Sequence, residues 1–135
     1  MTYKYRTKRP YVAAYIVIIG VGALLTIGRW FSVFNHDFVI INAEVHSHIS
    51  NLSLSMIAYA GIGYSWLLFG TKFRYIVVLG ILLIAGNFVC ETVMTFLNTT
   101  DLLDAVYGTV GVLFVFPYLL LTKRYGLVER SPDKR

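Results

Sequence analysis

Residues 75–97 read YIVVLGILLIAGNFVCETVMTFL, 23 residues with a single charge, Glu91. A helix needs about 20 predominantly apolar residues to cross a bilayer core, and this stretch supplies them. Three more runs of the same kind lie at about 11–29, 49–70 and 104–122, separated by most of the chain's few charges. Lipid offers no water to unpaired backbone groups, so a spanning run must be a helix or part of a closed barrel. Barrel strands would alternate lipid-facing apolar and inward polar residues, and these runs do not. The expected fold is an all-α integral membrane protein. Four helices form a transmembrane bundle over 11–122, with a basic segment at 1–10 and a basic tail at 123–135.

Composition agrees. The 135 residues are 57% hydrophobic and 14% charged, with a mean hydropathy of +0.67. A soluble domain carries roughly 25% charged residues, and disorder requires low hydrophobicity, so both classes are excluded. The 12 Lys and Arg residues do not line one element, which argues against a nucleic-acid partner. The lipid bilayer is the partner that this composition demands.

The net charge of +5 has a spatial meaning. Lys and Arg near helix ends stay in the cytoplasm. Lys4, Arg6, Lys8 and Arg9 precede the first span, Lys72 and Arg74 sit in the second connection, and Lys123, Arg124, Arg130, Lys134 and Arg135 follow the fourth. Only Arg29 falls on the other side, so both termini are expected in the cytoplasm. Tyr3, Tyr5, Tyr11, Trp30, Trp66, Tyr75, Tyr118 and Tyr125 flank the spans, as interfacial aromatic anchors do. The first span is too long for a signal-peptide h-region and lacks a following small-residue cleavage pattern. Cys90 is the only cysteine, which excludes an internal disulfide. The sequons at Asn51 and Asn98 lie at or inside spans, and read as chance matches.

Acids and histidines gather on the outer side. Asp37, Glu44, Asp101 and Asp104 fall in the outer connections, Glu91 in the outer half of the third span, and His36, His46 and His48 in or directly after the connection over 30–47. Its apolar residues 38–41 are suited to the interface or to folding back over the bundle mouth. Residues three and four apart share a helix face. One such face joins His48, Asn51, Ser55 and Tyr59; another joins Gly80, Ile84, Asn87, Glu91, Met94 and Asn98; a third joins Asp101, Asp104, Gly108 and Gly111. Gly22 and Thr26 form a smaller packing face on the first span. Asn51, Ser55, Tyr59 and Asn87 are suited to interhelical hydrogen bonds, each worth about 0.6 kcal/mol. An acid near a helix centre costs about 2.5 to 3.5 kcal/mol, so Glu91 should face the interior, with Arg29 or His48 as partner by depth. The candidate pocket comprises Arg29, Glu44, His48, Asn51, Asn87, Glu91, Asp101 and Asp104. His36, His46 and His48 are suitable metal ligands, but no HExxH-like spacing joins them, so neither metal nor cofactor is assigned.

Two of these segments together resemble a known family. Glu44-Val45-His46-Ser47-His48, opening the second span, is similar to the acid-x-x-x-His of VanZ-like membrane proteins. Glu91, then Asp101-Leu102-Leu103-Asp104 and Gly111, resembles that family's second motif, an acid ending a span before an Asp-rich helix start and a glycine. The chain departs from the pattern at Met94, Asn98 and Gly108, where Gln, Arg and Asn are common. The resemblance covers about residues 30–115. It implies a role in the cell envelope of the kind associated with low-level teicoplanin resistance, and Glu44, His48, Glu91, Asp101 and Asp104 as motif positions.

The expectation is a multi-pass protein of the bacterial cytoplasmic membrane. Its outward polar pocket would bind a lipid-linked envelope precursor or a glycopeptide headgroup. Two alternatives stand beside it: a small proton-coupled transporter subunit using Glu91, and a non-catalytic accessory subunit docked in a membrane complex or with copies of itself. No reaction is legible, and an enzyme is the less favoured class.

Overall fold

The structure, a computed structural model, describes residues 2–93 and 101–131. It contains four long helices, α1 (Arg9–Phe31), α2 (Ala43–Phe69), α3 (Phe73–Val93) and α4 (Leu102–Leu121), and a widened π-type turn over Thr122–Gly126. Each of the four is long and apolar enough to cross a membrane. Met94, Asn98 with its sequon, the last residues of the expected third span, and Lys134 and Arg135 lie outside the described residues.

Surface and interior are divided as lipid demands. Ile16, Leu24, Ile27, Ile81, Leu82 and Phe114 are exposed on the outside of the bundle, far more apolar surface than a soluble monomer presents. Gly22 is the only buried residue of α1. By contrast α2 is the central helix, packed between α1 and α4, while α3 leans mainly on α4. The core is built around Met56, Tyr59, Leu67, Ile76, Val112, Val115 and Leu119. Tyr59 lies against Gly80 and donates its hydroxyl to the Ile76 carbonyl at 3.1 Å. A buried phenol thus finds the hydrogen-bond acceptor that its burial demands.

Small residues set the closest approaches. At Gly111 an added Cβ would meet the Leu52 carbonyl, so α4 touches the α2 backbone itself. Thr26 and Ser53 join α1 to α2 through a 2.9 Å hydroxyl pair. Helix α2 ends at Gly70, whose φ of 80° is the left-handed cap that glycine adopts without strain. Residues 71–72 then suffice to turn the chain into α3.

The helix boundaries correct the sequence reading in one important place. Helix α2 begins at Ala43, not near residue 49, because Asn42 caps it, its side chain accepting the Val45 N–H at 2.9 Å. Hydropathy marks the lipid-buried stretch and is blind to a capped polar turn, so the expected 30–47 connection shrinks to 32–42. Within it, Phe38 and Ile40 fold back against Gly28, and Phe38 meets Phe31 edge-on. Short strands were not expected. β1 (Tyr5–Thr7) and β2 (Leu127–Glu129) pair antiparallel, Arg6 opposite Val128, and bring the two basic segments together at one end of the bundle. The histidines and the α4 acids lie at the other, distal end.

Candidate functional site

At the distal end α4 starts with two acids in the positions a helix N-terminus favours. Asp101 is the N-cap, its Oδ1 accepting the Leu103 N–H at 3.0 Å. Asp104 lies three residues on, within the first turn. Capping accounts for the local geometry of these carboxylates. It does not account for what faces them.

That group is His48, buried on the second turn of α2. Its Nδ1 lies 2.8 Å from Asp104 Oδ1 and its Nε2 3.7 Å from Asp101 Oδ2. A neutral imidazole has one donor and one acceptor nitrogen. With the Nδ1–H donated to Asp104, the Nε2 lone pair points toward a second carboxylate. A proton on Nε2, or a donor or cation between Nε2 and Asp101, satisfies that arrangement. Tyr107 covers the imidazole, ring centroids 5.2 Å apart. It sits one turn beyond Asp104, and that three-residue spacing was the sequence signal that could have found it.

Glu91 closes the side toward α3. Its Oε2 lies 3.4 Å from the Asp101 backbone N–H, so it supports the start of α4. Among the described residues, the contacts within 4 Å between a basic side chain and a carboxylate are the two that His48 makes. Glu91 therefore has no Arg29 partner here, contrary to the pairing by depth. Below this rim Asn87 donates its amide to Ser55 Oγ at 3.0 Å and packs on Gly108, where a Cβ would not fit. The three polar faces of α2, α3 and α4 thus converge on one line, from His48, Asp101 and Asp104 down through Ser55 and Asn87 to Tyr59. Asn51 is half-buried on the α2 face.

Arg29, Glu44 and His36 lie apart from this line. Glu44 is exposed on the first turn of α2. Arg29 turns to His46 and Ser32, and His36 is exposed in the connection. His46 and His48 are on one helix, two residues apart, and so face opposite sides. The three histidines do not form a metal site; among the described residues the group that could hold an ion is His48 with Asp101 and Asp104. One ligand atom from each lies within 4.8 Å of the others. Three protein ligands with an open position suit a divalent cation.

Comparison with protein-family models, with curated proteins and with solved structures finds no match to this chain.

Proposed function

We propose that the chain is a multi-pass protein of the bacterial cell envelope, VanZ-like in its motif positions, with its termini in the cytoplasm and its distal pocket facing out. The pocket binds the headgroup of a lipid-linked envelope precursor or of a glycopeptide. One observation carries this reading: His48 is buried between Asp101 and Asp104, at 3.7 and 2.8 Å, at the mouth of the bundle. A buried imidazole held between two carboxylates is costly to desolvate, and such clusters are concentrated at functional sites. The surplus of carboxylates over basic groups favours the hydroxyl and amine donors of a sugar or peptide headgroup. Basic residues concentrated at the strand-pair end support the orientation.

The test is glycopeptide sensitivity in a Gram-positive host expressing the full chain. Wild type should raise the inhibitory concentration of teicoplanin over the empty vector. His48→Gln and Asp104→Asn should abolish that protection while reaching the membrane in equal amount. Full protection from both variants, or none from wild type, would refute the reading.

A further inference from the structure

The other side of α2 carries a site of opposite character. Residues two apart on a helix point about 200° away from each other, so His46 faces α1 while His48 faces the α4 acids. His46 is buried, and its Nδ1 lies 3.1 Å from the Ile40 backbone N–H. A backbone N–H can only donate, so Nδ1 is the acceptor, and in the neutral ring the proton sits on Nε2. That Nε2 lies 3.4 Å from Nη1 of Arg29, which also can only donate. Two N–H groups therefore converge with no acceptor between them.

Among the described residues no group relieves this. Arg29 Nη1 reaches Ser32 Oγ at 3.2 Å, and the Ser32 hydroxyl hydrogen is committed to the Arg29 carbonyl at 2.6 Å. Among the described residues no carboxylate lies within 4 Å of the guanidinium. The nearest acids in sequence, Asp37 and Glu44, are both exposed. A cavity of about 340 Å³ opens at this point, lined by Arg29, Ser32, His36, Phe38, Val39 and His46. Trp30, the neighbour of Arg29, is 71% exposed, as a ring at the headgroup level would be.

We propose that this cavity binds a phosphoryl group. One anionic oxygen accepts from both Arg29 Nη1 and His46 Nε2, resolving the donor pair, and the guanidinium supplies the charge. The apolar Phe38 and Val39 would border the ester substituent. The site uses residues that the headgroup pocket does not, so the two readings fail separately. The phosphoryl group belongs either to a phospholipid or to free phosphate.

Titration calorimetry of the full chain in neutral maltoside micelles tests this. The probes are dioctanoyl phosphatidate, dioctanoylglycerol (its phosphate-free counterpart) and inorganic phosphate. Phosphatidate should bind at least about tenfold tighter than dioctanoylglycerol, and Arg29→Gln should remove that advantage. Arg29→Lys should retain part of it, and His48→Gln all of it. Displacement of phosphatidate by millimolar phosphate identifies free phosphate as the ligand, whereas failure to displace assigns the lipid; either is consistent with the site. Equal binding of phosphatidate and dioctanoylglycerol to wild type would overturn the proposal. So would an Arg29→Gln variant, helical by circular dichroism, that keeps the preference or weakens both lipids equally.

Discussion

His48 makes its shorter carboxylate contact with Asp104, and the imidazole is almost fully shielded while the Asp101 side chain is 42% exposed. That asymmetry separates the two acids. Asp104→Ala leaves a buried imidazole N–H without its acceptor, which costs about 1–3 kcal/mol. Asp101→Asn keeps an N-cap of equal quality and removes only the longer, more exposed contact, so its effect on stability should stay near zero. Unfolding midpoints of the three proteins in mixed micelles check the order. An Asp101→Asn variant less stable than Asp104→Ala would show that Asp101 carries the pairing. At the same scale, His46 and His48 illustrate how one helical turn can present the same side chain to a donor pair on one side and to carboxylates on the other.

Among the elements, the contact of α2 with α4 is the most extensive and the least forgiving. Its closest point is glycine against backbone, Gly111 facing the Leu52 carbonyl. A backbone neighbour cannot rotate away as a side chain does, so Gly111→Val must part the helices or shift one along the other. Overpacking of this kind costs about 1–3 kcal/mol. The separation would propagate to the rim, because Asp101 and Asp104 ride on α4 and His48 on α2. We expect Gly111→Val to lower the unfolding midpoint in micelles and to weaken the His48 pairing with it. Gly20→Val, at a position with open space around it, is the control that should do neither. Equal stability of the two variants would exclude a tight α2–α4 seam.

For the whole molecule the strand pair has a topological consequence. Four successive long helices bring the chain back to the end of the bundle at which it began, and β1 with β2 ties the two ends together there. Cysteine labelling in a Cys90→Ser background reads which side that is. Asp37→Cys in the distal connection should react with a membrane-impermeant maleimide in intact cells. Lys4→Cys, exposed beside β1, should react only after permeabilisation. The reverse pattern would place the termini outside and turn both distal pockets toward the cytoplasm.

The stretch over 75–97 and its three counterparts contained the architecture in their composition, because in lipid an apolar run of that length must hydrogen-bond to itself. Helical periodicity also put His48, Ser55 and Tyr59 on one face, and Asn87 and Glu91 on another, since the 3.6-residue turn is a local property. Periodicity could not say which face meets which. Arg29 and Glu91 lie at similar depth in the sequence, yet the fold sends the guanidinium to His46 on the α1 side and the carboxylate to the start of α4. Nor could hydropathy see the capped polar turn at Asn42, which makes residues 43–48 helical and so turns His46 and His48 apart. Lengths and faces are set by bonds within four residues along the chain. Partners are set by how helices rotate and approach, and that is decided by close contacts such as Gly111 on Leu52, between residues far apart in sequence.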